Sequence, residues 1–404
     1  MEGNEESMRG TSSIEPEWRM QPAFFAHTEG STTVARDLRE GLRARLGPIE
    51  RNGAAPLRFW IKALFWLIVA VGAYGFMLQN AVPGWGRILA AAVYGWSSLT
   101  LAFNVGHDAS HGAASRVPWL DHFLQRMVFV PIGIDAVLWR LRHLRSHHVF
   151  TNVDGADMDA SRNSLIRLAS YMPLRSWHRL QYLYAPLVYA IVLNHSVFYR
   201  DWRFLFGGEF AWMRQGVNRF QLVTGFVSQK VLYFLLNAVL PAWVLGWGMG
   251  AALGLFFLIS SVQSLVFVAL LIGTHFFEET ATYSPNENRQ LDHAWAEHQF
   301  RTSCDWNADS SVAGFFSGGA NTHLAHHLFP SICHVHHRSL TPLIQEVATK
   351  HDLPLFQKSL CGMLVSHFRY LRRLGMDPIE LDGSIQISEG SSSGAANELR
   401  IRIE

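Results

Sequence analysis

The sequence predicts an all-α integral membrane protein: four transmembrane helices arranged as two hairpins, with a cytoplasmic helical cap that carries three histidine clusters. Three observations predict it. The 404 residues are 49% hydrophobic and only 16% charged, well below the roughly 25% charged residues of a soluble domain. Four apolar runs of nearly membrane-spanning length occur in two pairs. Histidines gather outside those runs, most densely in NTHLAHHLFPSICHVHH, where His323, His326, His327, His334, His336 and His337 lie close together.

Taken in order, residues 1–50 form a polar segment with a short helix predicted at Ala35–Leu46. The opening stretch MEGNEESMRGTSSIEPEW has neither the basic start nor the apolar core of a cleaved signal peptide. A membrane domain is expected over 51–383. Its first two runs, about 59–77 and 88–105, are joined by QNAVPGWGR. The second pair, about 230–245 and 251–273, is joined by GWGMG. Each run approaches the about 20 residues needed to cross the hydrocarbon core. The third is the weakest, holding Asn237 and Pro241, with Lys230 expected to snorkel at its end. Two further apolar stretches, Phe123–Trp139 and Tyr182–Phe198, are short and hold Asp135 or His195, so they read as interfacial or buried helices. The Ser/Gly-rich tail at 384–404 is expected to be disordered. There is no internal repeat.

Arg36, Arg39, Arg43, Arg45, Arg51, Arg58 and Lys62 precede or open the first run, whereas the hairpin tips carry only Arg87. The positive-inside rule therefore places the N-terminus and the long segments 106–228 and 274–404 in the cytoplasm. Two complete hairpins then put all three histidine clusters on one membrane face. A net charge of +2 without a basic, aromatic-interleaved patch gives no nucleic-acid signal. Three cysteines (Cys304, Cys333, Cys361) without a C-x-x-C pair argue against a disulfide framework, a zinc ribbon or an iron–sulfur cluster.

Neutral imidazole is the commonest metal ligand. Residues i and i+4 of a helix share a face, with Cβ atoms about 5–6 Å apart. His107/His111, His143/His147 and His323/His327 have that spacing, and His148 and His326 broaden the arc. Eight imidazoles exceed the four ligands of one tetrahedral zinc and suit two metals with incomplete shells. Imidazole accepts Fe, Zn, Cu and Ni alike. His275 falls just beyond the fourth run, level with His107, and is a further candidate ligand. Asp108, Asn152, Asp157 and Asp159 are candidates to accept the second N–H of a ligand. Gln263 reads as a bond to a neighbouring helix. The scattered His27, His122, His178, His195, His293, His351 and His367 read as ordinary hydrogen-bonded residues, and His298 stands between the two readings.

From about Phe103 to Gly375 the chain resembles the membrane fatty acid desaturases, the histidine-box di-iron family. NVGHDASHGAAS resembles the first box, WRLRHLRSHHVFTN the second and NTHLAHHLFPSICHVHH the third. DHAWAEHQFRTSCDW and HHLFPSICH are similar to the acyl-lipid and linoleoyl-CoA branch. The resemblance implies His107, His111, His143, His147, His148, His323, His326 and His327 as iron ligands, with His275 as an additional ligand of that branch. It implies two Fe ions, O2 as co-substrate, and loss of two hydrogens from neighbouring acyl methylenes. An all-imidazole shell resists oxidation better than Cys or Met. The substrate would be a membrane lipid or acyl thioester entering from the bilayer. No HPGG haem motif is present, so a separate electron donor of the ferredoxin or cytochrome b5 type is expected. His323 stands where many front-end members have Gln, and His337 where relatives often have Tyr.

A hydroxylase, ketolase or acetylenase acting on an acyl or isoprenoid substrate would use the same site. A metal transporter would need ligands at mid-depth in the membrane, and the apolar runs hold no histidine.

Overall fold

The computed structural model of the protein describes residues 20–26, 29–47, 53–160 and 163–376. The N-terminal stretch, His27, Arg51 and the 384–404 tail lie outside the described residues. The chain is mostly helical. An amphipathic helix α1 (Glu29–Leu46) leads into α2 (Leu57–Met77), α3 (Gly84–Ser110), α4 (Pro118–Phe129) and α5 (Ala136–Arg142). Further on come α6 (Arg219–Leu245), α7 (Met249–His275), α8 (Trp295–Thr302), α9 (His323–Leu328), α10 (His337–Lys350) and α11 (Leu360–Met376).

Four of these, α2, α3, α6 and α7, are long and apolar enough to cross a membrane. Their outer faces expose Ile61, Leu64, Ile68, Val71, Ile88, Leu89, Val231, Leu235, Val239, Leu253 and Phe257. Such a belt would be a liability in water and is the expected lipid contact. The stretches Phe123–Trp139 and Tyr182–Phe198 break into short helical segments and are not among the four.

The bounds differ from the sequence expectation in instructive ways. Helix α3 continues past 105 because a π-turn over Ala102–His107 carries it through the first histidine cluster. Helix α6 starts eleven residues before 230: Asn218 caps it, its side chain accepting from Gln221 N at 3.1 Å, and polar Thr224, Ser228 and Gln229 disguise the apolar run. Lys230 is consequently mid-helix and does not snorkel. It is 5% exposed and donates to Asp201 Oδ2 and to the Gly133 carbonyl, both at 2.7 Å. A buried ammonium needs such a partner. The helix expected at Ala35–Leu46 begins earlier, at Glu29.

Helices α2 and α3 pack along each other, and α3 packs along α7. At Gly95 a Cβ would lie 2.9 Å from the Ile259 carbonyl oxygen, so only glycine permits that approach. Above the spans, Val34, Leu38 and Leu42 recur every fourth residue on α1 and pack with Phe300, Leu340, Leu343, Ile344 and Val347. The fold is not purely helical. Phe24–Phe25 pairs in parallel with Gln290–Leu291, and Cys304–Trp306 with Phe356–Lys358. Ladders of two and three residues are too short to leave a periodic signal in sequence.

Candidate metal centre

The histidines are delivered by distorted helix ends. The π-turn at Ala102–His107 sets His107 and His111 at the end of α3, and a second π-turn, His143–His147, follows α5 directly. π-Turns cost hydrogen-bond geometry and cluster at functional sites. The third box arrives through Gly318 and Gly319, both left-handed (φ 63° and 85°), where a side chain would be strained. A Cβ on Gly318 would also lie 2.8 Å from the Phe103 carbonyl carbon, so this turn seats the third box against the first. Asp305 then holds the start of α9, Oδ1 accepting from Leu324 N at 2.8 Å.

Two groups of ring nitrogens result. One nitrogen each from His107, His111, His143, His148 and His326 lies within 4.8 Å of the others; His147, His275, His323 and His327 form a second such group. All nine candidate ligands, His275 included, are in these two groups. The second box is split, His143 and His148 going one way and His147 the other. So is the third, with His326 separated from His323 and His327. The groups touch where the His148 and His327 rings stack at 4.4 Å.

Within the groups, Nε2 faces Nε2: 3.1 Å for His107–His143, 3.0 Å for His143–His148, 2.9 Å for His148–His326 and 2.7 Å for His275–His323. Each contact can hold at most one proton. His111 Nε2 and His327 Nε2 are buried without a partner. Leaving buried polar atoms unmatched costs about 1–3 kcal/mol each, so the set fits a pair of cations held by neutral imidazoles.

The outer nitrogens are held. His147 Nδ1 is 3.3 Å from each Asp157 oxygen, His275 Nδ1 donates to the Thr302 carbonyl at 2.8 Å, and His327 Nδ1 is 2.9 Å from Gln299 Oε1. Such bonds fix the tautomer that offers a lone pair. Burial, then repulsion between neighbouring rings, lowers the pKa of His111, His143, His148, His323, His326 and His327 well below the ordinary value. These rings are therefore neutral, the ligating form. His147 differs: burial depresses it, but the charge and hydrogen bond of Asp157 outweigh that and raise it.

Other candidates settle elsewhere. Asp157 reaches a cluster histidine, and Asn152 donates to the His275 carbonyl at 2.9 Å. Asp159 lies 3.9 Å from His147 and is engaged by Arg200 and Arg142. Asp108 turns away to His334 Nδ1 at 2.8 Å, while Lys62 Nζ sits 2.8 Å from His334 Nε2, so His334 is fully occupied. His298 donates to the Thr151 carbonyl and meets His293, outside both groups. His178, His351 and His367 are hydrogen-bonded elsewhere. Gln263 donates to Ser98 Oγ and the Pro131 carbonyl, joining neighbouring segments. Sequence reasoning missed Gln299, Thr302, Asp305 and Trp139, whose ring stacks on His143 at 4.2 Å. The first three fall in or beside the DHAWAEHQFRTSCDW stretch, which was the available signal.

Residues 83–359 match the model of the fatty acid desaturase family. Among curated relatives, an acyl-lipid (8-3)-desaturase of Physcomitrium patens is 26% identical over 69% of this chain and 58% of its own length. The Delta(5) fatty acid desaturase A of Dictyostelium discoideum is 29% identical over 67% of this chain and 60% of its own length. The sn-1 linoleoyl-lipid 6-desaturase of Synechocystis sp. is 27% identical over 87% of this chain and 97% of its own length. The chain thus spans about three fifths of the first two relatives and nearly all of the third.

Proposed function

Because the chain belongs to the fatty acid desaturase family, we propose that it is an oxidoreductase introducing one C=C bond into a long acyl chain in the membrane. The observation that carries this reading is the pair of imidazole groups, five and four strong, to which two membrane-length helices contribute His107, His111 and His275 at their ends. The overall change balances as R–CH2–CH2–R′ + O2 + 2 e⁻ + 2 H⁺ giving R–CH=CH–R′ + 2 H2O.

His107, His111, His143, His148 and His326 would hold one iron, and His147, His275, His323 and His327 the other. Two irons there would supply the O2-dependent chemistry that side chains alone lack for an unactivated C–H bond. The protein's own part is to keep the imidazoles neutral, buried and fixed in tautomer by Asp157, Gln299 and the Thr302 carbonyl. Trp139, stacked on His143, holds that ring's plane.

We read 51–383 as the catalytic unit, with two membrane hairpins, α2–α3 and α6–α7. The cap and its histidine boxes would face the cytoplasm, as the arginines before α2 suggest. The substrate would be a lipid-bound or thioester-bound acyl chain. Electrons would come from a separate carrier of the ferredoxin or cytochrome b5 type.

The test is mass spectrometry of total lipids from a host expressing the chain with a donor, beside cultures carrying His326→Ala and His195→Ala. Loss of two hydrogens from an acyl chain in wild type and His195→Ala, but not in His326→Ala, is expected. Gain of one oxygen would make the enzyme a hydroxylase on the same site; full desaturation by His326→Ala would remove the assignment.

A further inference from the structure

The loop that follows the third box carries the chain from the metal groups to the surface. Phe329–Cys333 leaves α9 two residues after His327, and Ser331 at its tip is exposed. From that tip inward the path is short. His337 Nε2 donates to the Ile332 carbonyl at 3.0 Å, and its ring lies 5.9 Å from that of His326, a member of the five-histidine group.

Guanidinium groups from three separate segments converge on this loop and the turn that follows it. Arg39 and Arg43, exposed on α1, line a cavity of about 320 Å³ whose opposite wall is Leu328–Ile332. Arg116, after the first box, donates to the Ser331 carbonyl at 3.1 Å. Arg58, at the start of α2, donates to the Val335 carbonyl at 3.0 Å. Among the described residues, no carboxylate lies within ion-pair distance of Arg39 or Arg43. Asp37 pairs with Lys350 and His351, each at 2.7 Å, and Glu346 with Arg45 at 3.3 Å, while Glu40, between the two arginines on α1, is exposed. Arg116 and Arg58 hold backbone carbonyls, whereas Arg39 and Arg43 are exposed and make no side-chain hydrogen bond among the described residues.

We propose that this arginine collar is the docking surface for an acidic one-electron carrier protein, with Arg39 and Arg43 as its charge-reading residues. The proposal rests on the desaturase reading, which requires an external source of two electrons per turnover. Opposed charges on two proteins steer encounter and fix register. An anionic lipid surface would also attract arginine. The position of the collar, around a loop that leads through His337 to His326, favours a partner that must approach the metal groups.

The test measures binding separately from chemistry. The full chain in neutral phosphatidylcholine nanodiscs is titrated with an acidic plant-type [2Fe–2S] ferredoxin and with a soluble cytochrome b5 haem domain. For at least one carrier, Arg39→Glu/Arg43→Glu should raise Kd about tenfold or more at low salt, and raising ionic strength should weaken wild type more than the variant. Arg39→Lys/Arg43→Lys, which keeps the charge, should bind within about twofold of wild type. Iron content should be unchanged in both. Equal affinity of the Glu variant and wild type for both carriers would overturn the proposal. So would equal loss in the Lys and Glu variants, which would make the arginines structural. Unchanged carrier binding with loss of co-purifying phosphatidylglycerol would assign them to lipid and also overturn it. Lipid mass spectrometry tests the desaturase reading independently, because carrier binding does not require turnover.

Discussion

Gln299 Oε1 lies 2.9 Å from His327 Nδ1, with both side chains wholly buried. The amide nitrogen of Gln299 points to the His148 carbonyl, which sets which way round the amide sits. A carbonyl oxygen only accepts, so His327 must carry its proton on Nδ1 and offer Nε2 to the metal group. Gln299→Leu removes the acceptor at similar volume. Bound iron or turnover should fall roughly 10–100-fold, the usual effect of losing such a partner. Gln299→Glu keeps an acceptor and should retain more iron than Gln299→Leu. Elemental analysis of the purified variants beside wild type decides it, and full iron and turnover in Gln299→Leu would sink the assignment.

Asp305 makes a related prediction for the third box. Its carboxylate accepts from the backbone N–H groups that open α9, yet burial pushes its pKa up to about 7 against the pull of those bonds. Burial thus favours the protonated form, and a neutral acceptor should serve nearly as well. Asp305→Asn should fold with near-normal iron content. Asp305→Ala should lose about 1 kcal/mol, as cap removals do, and should lower iron because α9 carries three of the nine histidines. Thermal melts with iron content on both variants test this. Equal behaviour of Asn and Ala would show that the cap does not orient the box.

The sequence made the four spans and all nine clustered histidines legible, for physical reasons. Apolar length and i, i+4 spacing are local properties, readable without knowing what packs on what. The division of the ligands was not local. His147 and His148 are neighbours in the chain yet enter different groups, and the π-turn at His143–His147 brings His148, five residues on, rather than His147, to the side of His143. The partners Gln299 and Thr302 lie on α8, over 100 residues from the second box, and only the fold brings them near. Lys230 was misplaced for the opposite reason. Its charge looked like a helix end, when Asp201, 29 residues earlier on a different segment, neutralises it in the interior.

Asp135 carries a pH prediction. It caps α5, accepting from Leu138 N at 2.8 Å, and it is 1% exposed. Burial raises its pKa to about 6, with the Leu138 bond pulling the other way and Asp201 adding to the rise. The folded state therefore holds this proton more tightly than the unfolded chain. That contribution to stability is full below the ordinary carboxyl value of 3.8 and is lost as pH climbs through about 6. Asp135→Asn keeps the cap and removes the titration. Relative to wild type, the variant should gain thermal stability on going from pH 4.5 to pH 7.5, a range that covers most of the interval of about 4 to 6. A difference in melting temperature that does not change with pH would refute this.

Asp201 is fully buried and meets Lys230 at 2.7 Å, the Asp135 backbone N–H at 2.9 Å and Arg142 at 3.5 Å. Arg142 directly precedes His143, so this ionic centre ties α6 to the start of the second box. Removing one member of a buried pair leaves an uncompensated charge, at a cost of about 3–5 kcal/mol. Lys230→Met should therefore be severely destabilised, in contrast to a snorkelling lysine, whose loss would be nearly silent. Adding Asp201→Asn removes the stranded charge while still accepting from Asp135 N–H. The double variant should recover at least about half of the loss, since paired buried charges are often replaceable by neutral groups. Melting temperatures of the single and double variants in detergent measure this. If Lys230→Met melts like wild type, the ammonium is solvated and the buried position of Lys230 is wrong. If the single variant is unstable and the double is no better, Lys230 acts through its bond to the Gly133 carbonyl rather than through Asp201.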